Sequence, residues 1–520
     1  MDELIYPRLL LTAAERRSDR PTFVDDDGTT ELLADHVDRS LRLADAHRTR
    51  FGLGRDDRFA VLAGNSRHYV NLWHTAFLGG GVVNPLNNRL APRELGVILA
   101  DSGSKVLYVD ADHAPVAEQL RAEVPALETV VLIGDGDVAH DASYDDVVAG
   151  GSSRVVDVAE DDLAVLMYTG GTTGRPKGVL HTQRSQTLNV YRLGFMFGFF
   201  TEASTFLNCT PMFHAGGVMG TMGMPCSGGT TVIHRSYDPA RLIADCARYD
   251  VTHLGLVPTM IGMALNHPDF DPAAFASVRL IGYGASPMPS ALLDHVMRVL
   301  PDVELTQTYG MTEASAVLTC LTPADHRAGG EALRSAGRAL PGVAISVRSA
   351  DGEPVPAGEV GEVWAKAGSF MVGYLDRPQE TADVLVDGWY RSGDAGYLDE
   401  RGYLFLVDRT KDMIVTGAEN VYSLEVENAI STHPAVLQVA VIGIPSERWG
   451  EQVHAVVVTR PGMTVSNDEI IAHAKQSIAG FKAPKSVDVR REPLPLSGAM
   501  KVLKRELRAP YWEGRERRID

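Results

Sequence analysis

Strand-length apolar runs alternate with helix-length amphipathic segments through roughly the first three hundred residues, and this alternation leaves few folds open. RFAVLAG is followed by SRHYVNLWHTAFLGG, KVLYVD by HAPVAEQLRAEV, and RLIGYGAS by PSALLDHVMRVL. A strand that feeds a helix returns parallel to itself, so the pattern predicts a layered α/β domain with largely parallel sheets. From about Arg338 to Tyr403 the character changes to short alternating strands, AISVRS, EVGEVWAKA and YLFLVD, separated by turns such as DGEPVPAGE. After Asp408 come EVENAISTHP as a helix, VLQVAVIGI and QVHAVVVT as strands, and NDEIIAHAKQSIAG as a helix. These make an α+β unit large enough for its own core. At 520 residues the chain is too long for one core. The predicted domains are 1–408, with a β-rich subdomain over about 338–408, and 409–520, with a polar joint at DRTKD between them.

The formal charge of −18 argues against a nucleic-acid partner and would repel any polyanionic ligand unless positive charge were gathered locally. It is gathered between Lys475 and Arg508, where nine basic residues face three acidic ones. Much of that run reads as a solvated face, above all Lys504, Arg505 and Arg508; Lys501 is considered separately. Cys209, Cys226, Cys246 and Cys320 lack ligand-like spacing, which fits a reducing, cytoplasmic setting. No signal peptide and no run of transmembrane length is evident. The most apolar stretch, GFMFGFF from Gly194 to Phe200, reads as the buried end of a helix beginning near Ser185.

Between an apolar strand, DLAVLM, and its expected hairpin partner from Val179 lies YTGGTTGRPKG, Tyr168 to Gly178. Glycines let backbone N–H groups approach an anion, threonine hydroxyls add donors, and Arg175 and Lys177 add charge, so the loop suits phosphate. It is not the G-x-x-x-x-G-K-[ST] loop, because Pro176 precedes Lys177 and Gly178 follows it. Alone it could equally be an unliganded surface turn.

Four further segments decide between these. QTYGMTE (Gln307 to Glu313), WYRSGDAGY (Trp389 to Tyr397), VDRTKDMI (Val407 to Ile414) and LSGAMKVLKREL (Leu496 to Leu507) follow in order. With the glycine loop they resemble the motif set of the adenylate-forming superfamily, and most closely its acyl-CoA and aryl-CoA synthetases. The resemblance implies a large layered α/β domain with a β-barrel-like subdomain and a small mobile α+β C-terminal domain. It also implies ATP, Mg²⁺ and coenzyme A as reactants, a small carboxylic acid as the other substrate, and room for a homodimer.

Carried over residue by residue, the resemblance puts Thr169, Gly170, Gly171, Thr172, Thr173, Gly174 and Lys177 around the β and γ phosphates, and Glu313 on Mg²⁺. Tyr309 would stack on adenine within the run Gln307, Thr308, Tyr309, Gly310, Met311 and Thr312, with Gly284, Ala285 and Ser286 as the opposite wall. Asp394 and Arg409 would hold the ribose. Lys501 would bridge the carboxylate and the α-phosphate, and with Thr172, Lys177, Glu313 and His214 forms the expected catalytic set. Members usually have glycine before this lysine; here Met500 stands there. Lys411 matches the hinge, and Gly417 and Ala418 match the loop beside the pantetheine tunnel, with Ala418 replacing a usual glycine. SERWGE (Ser446 to Glu451) resembles the CoA-ligase version.

The acyl site would follow the PMFH segment, with His214, Gly217, Gly282, Gly284 and Met311 lining it. HAGGVMGTMG offers no carboxylate to pair an ammonium group, which disfavours α-amino acids. The abundance of glycine, including Gly216, suggests a roomy apolar cleft for an aromatic, medium or longer acyl chain. The alternatives to an acid:CoA ligase are an enzyme that loads an acyl-carrier protein and a non-catalytic nucleotide-binding relative. Joint retention of Lys177, Glu313, Asp394, Arg409 and Lys501 speaks against the second of these.

Overall fold

The structure is a computed structural model, describing residues 4–16, 19–169, 176–198, 200–409, 412–416, 419–446, 448–498 and 500–513. The alternating segments become two large sheets. One has eight strands, with Arg58–Leu62, Val82–Pro85, Val106–Asp110 and Thr129–Ile133 parallel at its heart. The hairpin Leu163–Thr169 and Lys177–Thr182 is added along one side. The other has nine strands, parallel from Glu304–Tyr309 through Leu280–Gly284, His253–Leu256, Thr205–Asn208 and Thr230–Ile233 to Phe23–Val24.

Helices between the sheets bury both inner faces together. Trp73 and Phe77 of the helix Arg67–Phe77 share one core with Val61 and Tyr108 of the first sheet and Phe23 and Ile233 of the second. Ser66 starts that helix by accepting a hydrogen bond from the Tyr69 N–H, satisfying one donor that the first turn leaves open. The GFMFGFF segment ends the helix Gln183–Phe197 with Met196 and Phe197 buried but Phe195 55% exposed, and Gly198 closes it at φ 72°.

The strands Val343–Arg348, Gly361–Ala367, Leu385–Val386, Trp389–Leu398 and Leu404–Arg409 form a separate antiparallel sheet. A fourth sheet follows, built on the long hairpin Val436–Ser446 and Gly450–Thr459. One face is covered by the helices Ser423–Ser431 and Asn467–Ala474, the other by Lys504–Trp512. Among the described residues no helix is long and apolar enough to cross a membrane.

Candidate active site

Thr169 pairs directly with Lys177, the last pair of the hairpin on the side of the glycine-rich segment. Gly170, Gly171, Thr172, Thr173, Gly174 and Arg175 lie outside the described residues. The Lys177 ammonium lies 2.6 Å from Glu380 and 5.1 Å above the Tyr374 ring. Tyr374 is held there because Gly373–Tyr374 pairs with the hairpin strand, and its hydroxyl donates to Glu313 at 3.0 Å. One tyrosine thus joins the loop cation to the carboxylate. Burial, reinforced by the Glu313 charge, raises the phenol's pKa and keeps it a donor.

Glu313 projects from a single turn of 3₁₀ helix, Thr312–Ala314, followed by Ser315 and Ala316 at φ 59° and 98°. That reversal brings Ala316 so near Gly310 that a Cβ there would stand 2.0 Å from its carbonyl oxygen, which only glycine tolerates. His181 bolts the turn in place. Its Nε2 lies 2.7 Å from the Thr312 carbonyl, which can only accept, so Nε2 carries the proton. Nδ1 is left to face the Ser315 hydroxyl at 3.0 Å. Burial pushes the imidazole down to about 4, so it is neutral at ordinary pH.

Gln307, Thr308 and Tyr309 run along the strand beside Leu280–Gly284, with Gly284 opposite Thr308. A side chain at Gly284 would come within 2.5 Å of the Thr308 carbonyl, and Ala285, at φ 68°, turns the chain off the sheet towards Ser286. The Tyr309 hydroxyl donates to Asp394 at 2.7 Å. Asp394 is the cross-strand partner of Arg409. Met311 packs against Val179, Met371, Tyr374 and Tyr390.

Lys501 closes a small reversal: Ser497 N–H donates to the Lys501 carbonyl at 2.7 Å, and Leu496 bridges Val502. Met500 takes φ 60°, the left-handed conformation that a preceding glycine would adopt without strain. Contacts with the large domain hold it. The Thr259 hydroxyl donates to the Met500 carbonyl at 2.8 Å, and the Arg89 guanidinium lies 3.7 Å from its sulfur. Gly498 sits against Asn87, closely enough that a Cβ would meet its amide at 2.9 Å. Burial first, then the Lys501 and Arg89 charges, push the His214 imidazole down to about 4. Its Nε2 is buried and has no hydrogen-bond partner among the described residues. Elsewhere in the basic run, Lys482, Lys504 and Arg508 pair with Glu425, Glu427 and Asp412.

His214 precedes the helix Ala215–Ser227, whose sequence, AGGVMGTMGMPCS, gives little warning of a helix. Four glycines each forfeit about 1 kcal/mol of helix propensity, so packing must hold it. Gly217 lies against the Pro211 carbonyl, and Gly220 against the Phe206 ring. Of the glycines behind the expectation of a roomy cleft, Gly282 is covered by the Phe197 ring and Gly217 and Gly284 lie against the Pro211 and Thr308 carbonyls, whereas Gly216 has nothing within 4 Å. Lys411, Gly417 and Ala418 lie outside the described residues. Tyr374, His181 and Thr259 escaped sequence reasoning, since each sits in an ordinary apolar stretch and is brought to the site by strand pairing or by domain contact.

The model of the AMP-binding enzyme family matches residues 10–375, and that of the AMP-binding enzyme C-terminal domain matches 425–501. The fatty acid:acyl-carrier-protein ligase ScoC of Streptomyces coeruleorubidus is 36% identical over 529 aligned residues, covering 100% of both chains. A feruloyl-CoA synthase of Amycolatopsis sp is 37% identical, covering 95% of this chain and 97% of that one. ATP-bound MatB from Rhodopseudomonas palustris superposes with a TM-score of 0.87 at 28% identity, covering 98% of this chain and 99% of its own. The chain belongs to the AMP-binding enzyme family, and so to the adenylate-forming superfamily whose motifs it carries.

Proposed function

We propose that this chain is an ATP-dependent acid:CoA ligase, which activates a fatty or aromatic carboxylic acid as acyl-AMP and passes the acyl group to the thiol of coenzyme A. In the first half-reaction a carboxylate oxygen attacks the α-phosphorus of ATP and pyrophosphate leaves. In the second, the thiol attacks the acyl carbon and AMP leaves. The first step demands in-line positioning and neutralisation of charge on the phosphate oxygens. Lys501 would supply charge between carboxylate and α-phosphate, the glycine-rich loop with Lys177 would cradle the β and γ phosphates, and Asp394 with Arg409 would hold the ribose.

Glu313 offers a hard oxygen oriented by Tyr374, which suits Mg²⁺, an ion that takes one or two carboxylates and fills its shell with phosphate and water. Bound there, it would neutralise charge on the departing pyrophosphate. The observation that carries the proposal is the docking of the Lys501 turn on Thr259 and Arg89 of the large domain, close enough that the Lys501 charge acts on the buried imidazole of His214. For the second step, rotation about Lys411 would withdraw Lys501 and bring Gly417 and Ala418 to the thiol.

Incubation with ATP, Mg²⁺, coenzyme A and a panel of benzoates, cinnamates and straight-chain acids, read by mass spectrometry, should yield an acyl-CoA. The similarity to ScoC favours a second reading, in which a carrier protein's pantetheine takes the place of coenzyme A. Acyl-AMP without acyl-CoA, together with loading of an added carrier protein, would select it.

A further inference from the structure

The acyl site proposed above would lie between the helix Ala215–Ser227 and one face of the nine-stranded sheet. Strand alternation puts Phe206, His253, Gly255, Leu280, Gly282, Gly284, Thr306 and Thr308 on one sheet face, because Phe206 opposes His253, which opposes Leu280, while Gly255, Gly282 and Thr306 are opposite one another. The other face carries Leu207, Leu254, Ile281 and Tyr283 into a separate core. From the carboxyl end inward, the first face is therefore floored by glycine and then by bulk. The opposite wall is the helix that begins after His214.

Aromatic rings close the gap between these walls. A Cβ at Gly282 would stand 2.6 Å from the Phe197 ring, one at Gly220 2.2 Å from Phe206, and one at Gly223 3.2 Å from Phe200. The Phe197 and Phe200 rings stack at 5.6 Å, Phe206 meets Phe197 edge-on at 6.3 Å, and His253 meets Phe200 edge-on at 5.2 Å. Two rulers measure the distance to this plug. From Gly284 to Gly282 is two residues of strand, about 7 Å. From His214 to Gly220 is six residues of helix, about 9 Å.

We infer that Phe197, Phe200 and Phe206 set the depth of the acyl site and restrict it to a compact acid, one whose acyl group is about the length of a single aromatic ring, in preference to a long straight chain. This rests on the ligase assignment. The glycines opposite the rings are then small because the plug occupies their space, and removing a ring should lengthen the site.

The test is kcat/KM for pyrophosphate release with benzoate, hexanoate and dodecanoate, in the full-length enzyme and its Phe197→Ala, Phe197→Leu and Phe206→Ala variants. The wild type should prefer benzoate to dodecanoate by at least about a hundredfold. Phe197→Ala should gain about tenfold or more on dodecanoate and lose benzoate, with Phe197→Leu intermediate. A gain on a longer acid cannot come from misfolding, and the wild-type profile decides the matter even if a variant fails to fold. A wild type that uses dodecanoate as well as benzoate, or an unchanged preference in variants that fold, overturns the depth assignment and leaves the ligase standing. No pyrophosphate release with any acid overturns the ligase and this inference together.

Discussion

Single side chains do unexpected work where the two domains meet. Met500 holds a backbone conformation that costs a side-chain-bearing residue about 1–2 kcal/mol, and the Thr259 hydroxyl on its carbonyl offsets part of that. Thr259→Val should therefore slow acyl-AMP formation about tenfold, leave conversion of preformed acyl-AMP to thioester unchanged, and be rescued by Thr259→Ser; equal losses in both half-reactions would refute a positioning role. Tyr374→Phe keeps the ring beneath Lys177 but removes the donor on Glu313. It should raise the KM for MgATP about tenfold with a smaller effect on kcat, as loss of a group that orients a metal-binding carboxylate does. An unchanged KM would mean that Glu313 needs no such support. Neither residue was legible in the sequence: Tyr374 reaches Glu313 through pairing between distant strands, and Thr259 reaches Met500 across 241 positions. The motifs themselves could be picked out in advance because each sets distinctive residue types at close spacing.

At the scale of elements, the helix Ala215–Ser227 shows tertiary packing overriding propensity. Its glycines are imposed by what lies against them, so Gly217→Ala, whose Cβ would fall 1.9 Å from the Pro211 carbonyl, should lower the unfolding midpoint and raise KM for the acid. The cost expected for such overpacking is about 1–3 kcal/mol. A variant with wild-type midpoint and KM would show that the helix shifts freely. The strand–helix alternation of the first sheets could be read in advance, because buried parallel strands must be continuous apolar runs and their crossover helices amphipathic. The glycine-rich helix could not, since its apolar pattern carries no period and its propensity points the other way. The expectation of an open cleft met the same limit: a glycine can also mark where something approaches closely, as the Phe197 ring does at Gly282.

Across the whole molecule, burial holds His47, His68, His181, His214 and His253 each at about 4, below the ordinary imidazole value of 6.5. The unfolded chain binds more protons than the folded one between those values, so the stability these residues contribute is complete above about pH 6.5 and is lost as pH falls towards 4. At pH 5 the fully buried His47 and His181 would each withdraw about 2 kcal/mol. The unfolding midpoint should drop by several degrees between pH 7 and pH 5; a flat profile would mean that those imidazoles remain solvated. The domain-scale claim, that one active site is completed by the Lys501 turn and then dismantled, is tested most directly by separating the half-reactions of Lys501→Ala. The account predicts that acyl-AMP formation falls by about 10²–10³ while preformed acyl-AMP is still converted to thioester at the wild-type rate. Equal loss of both half-reactions, or full retention of the first, would contradict it.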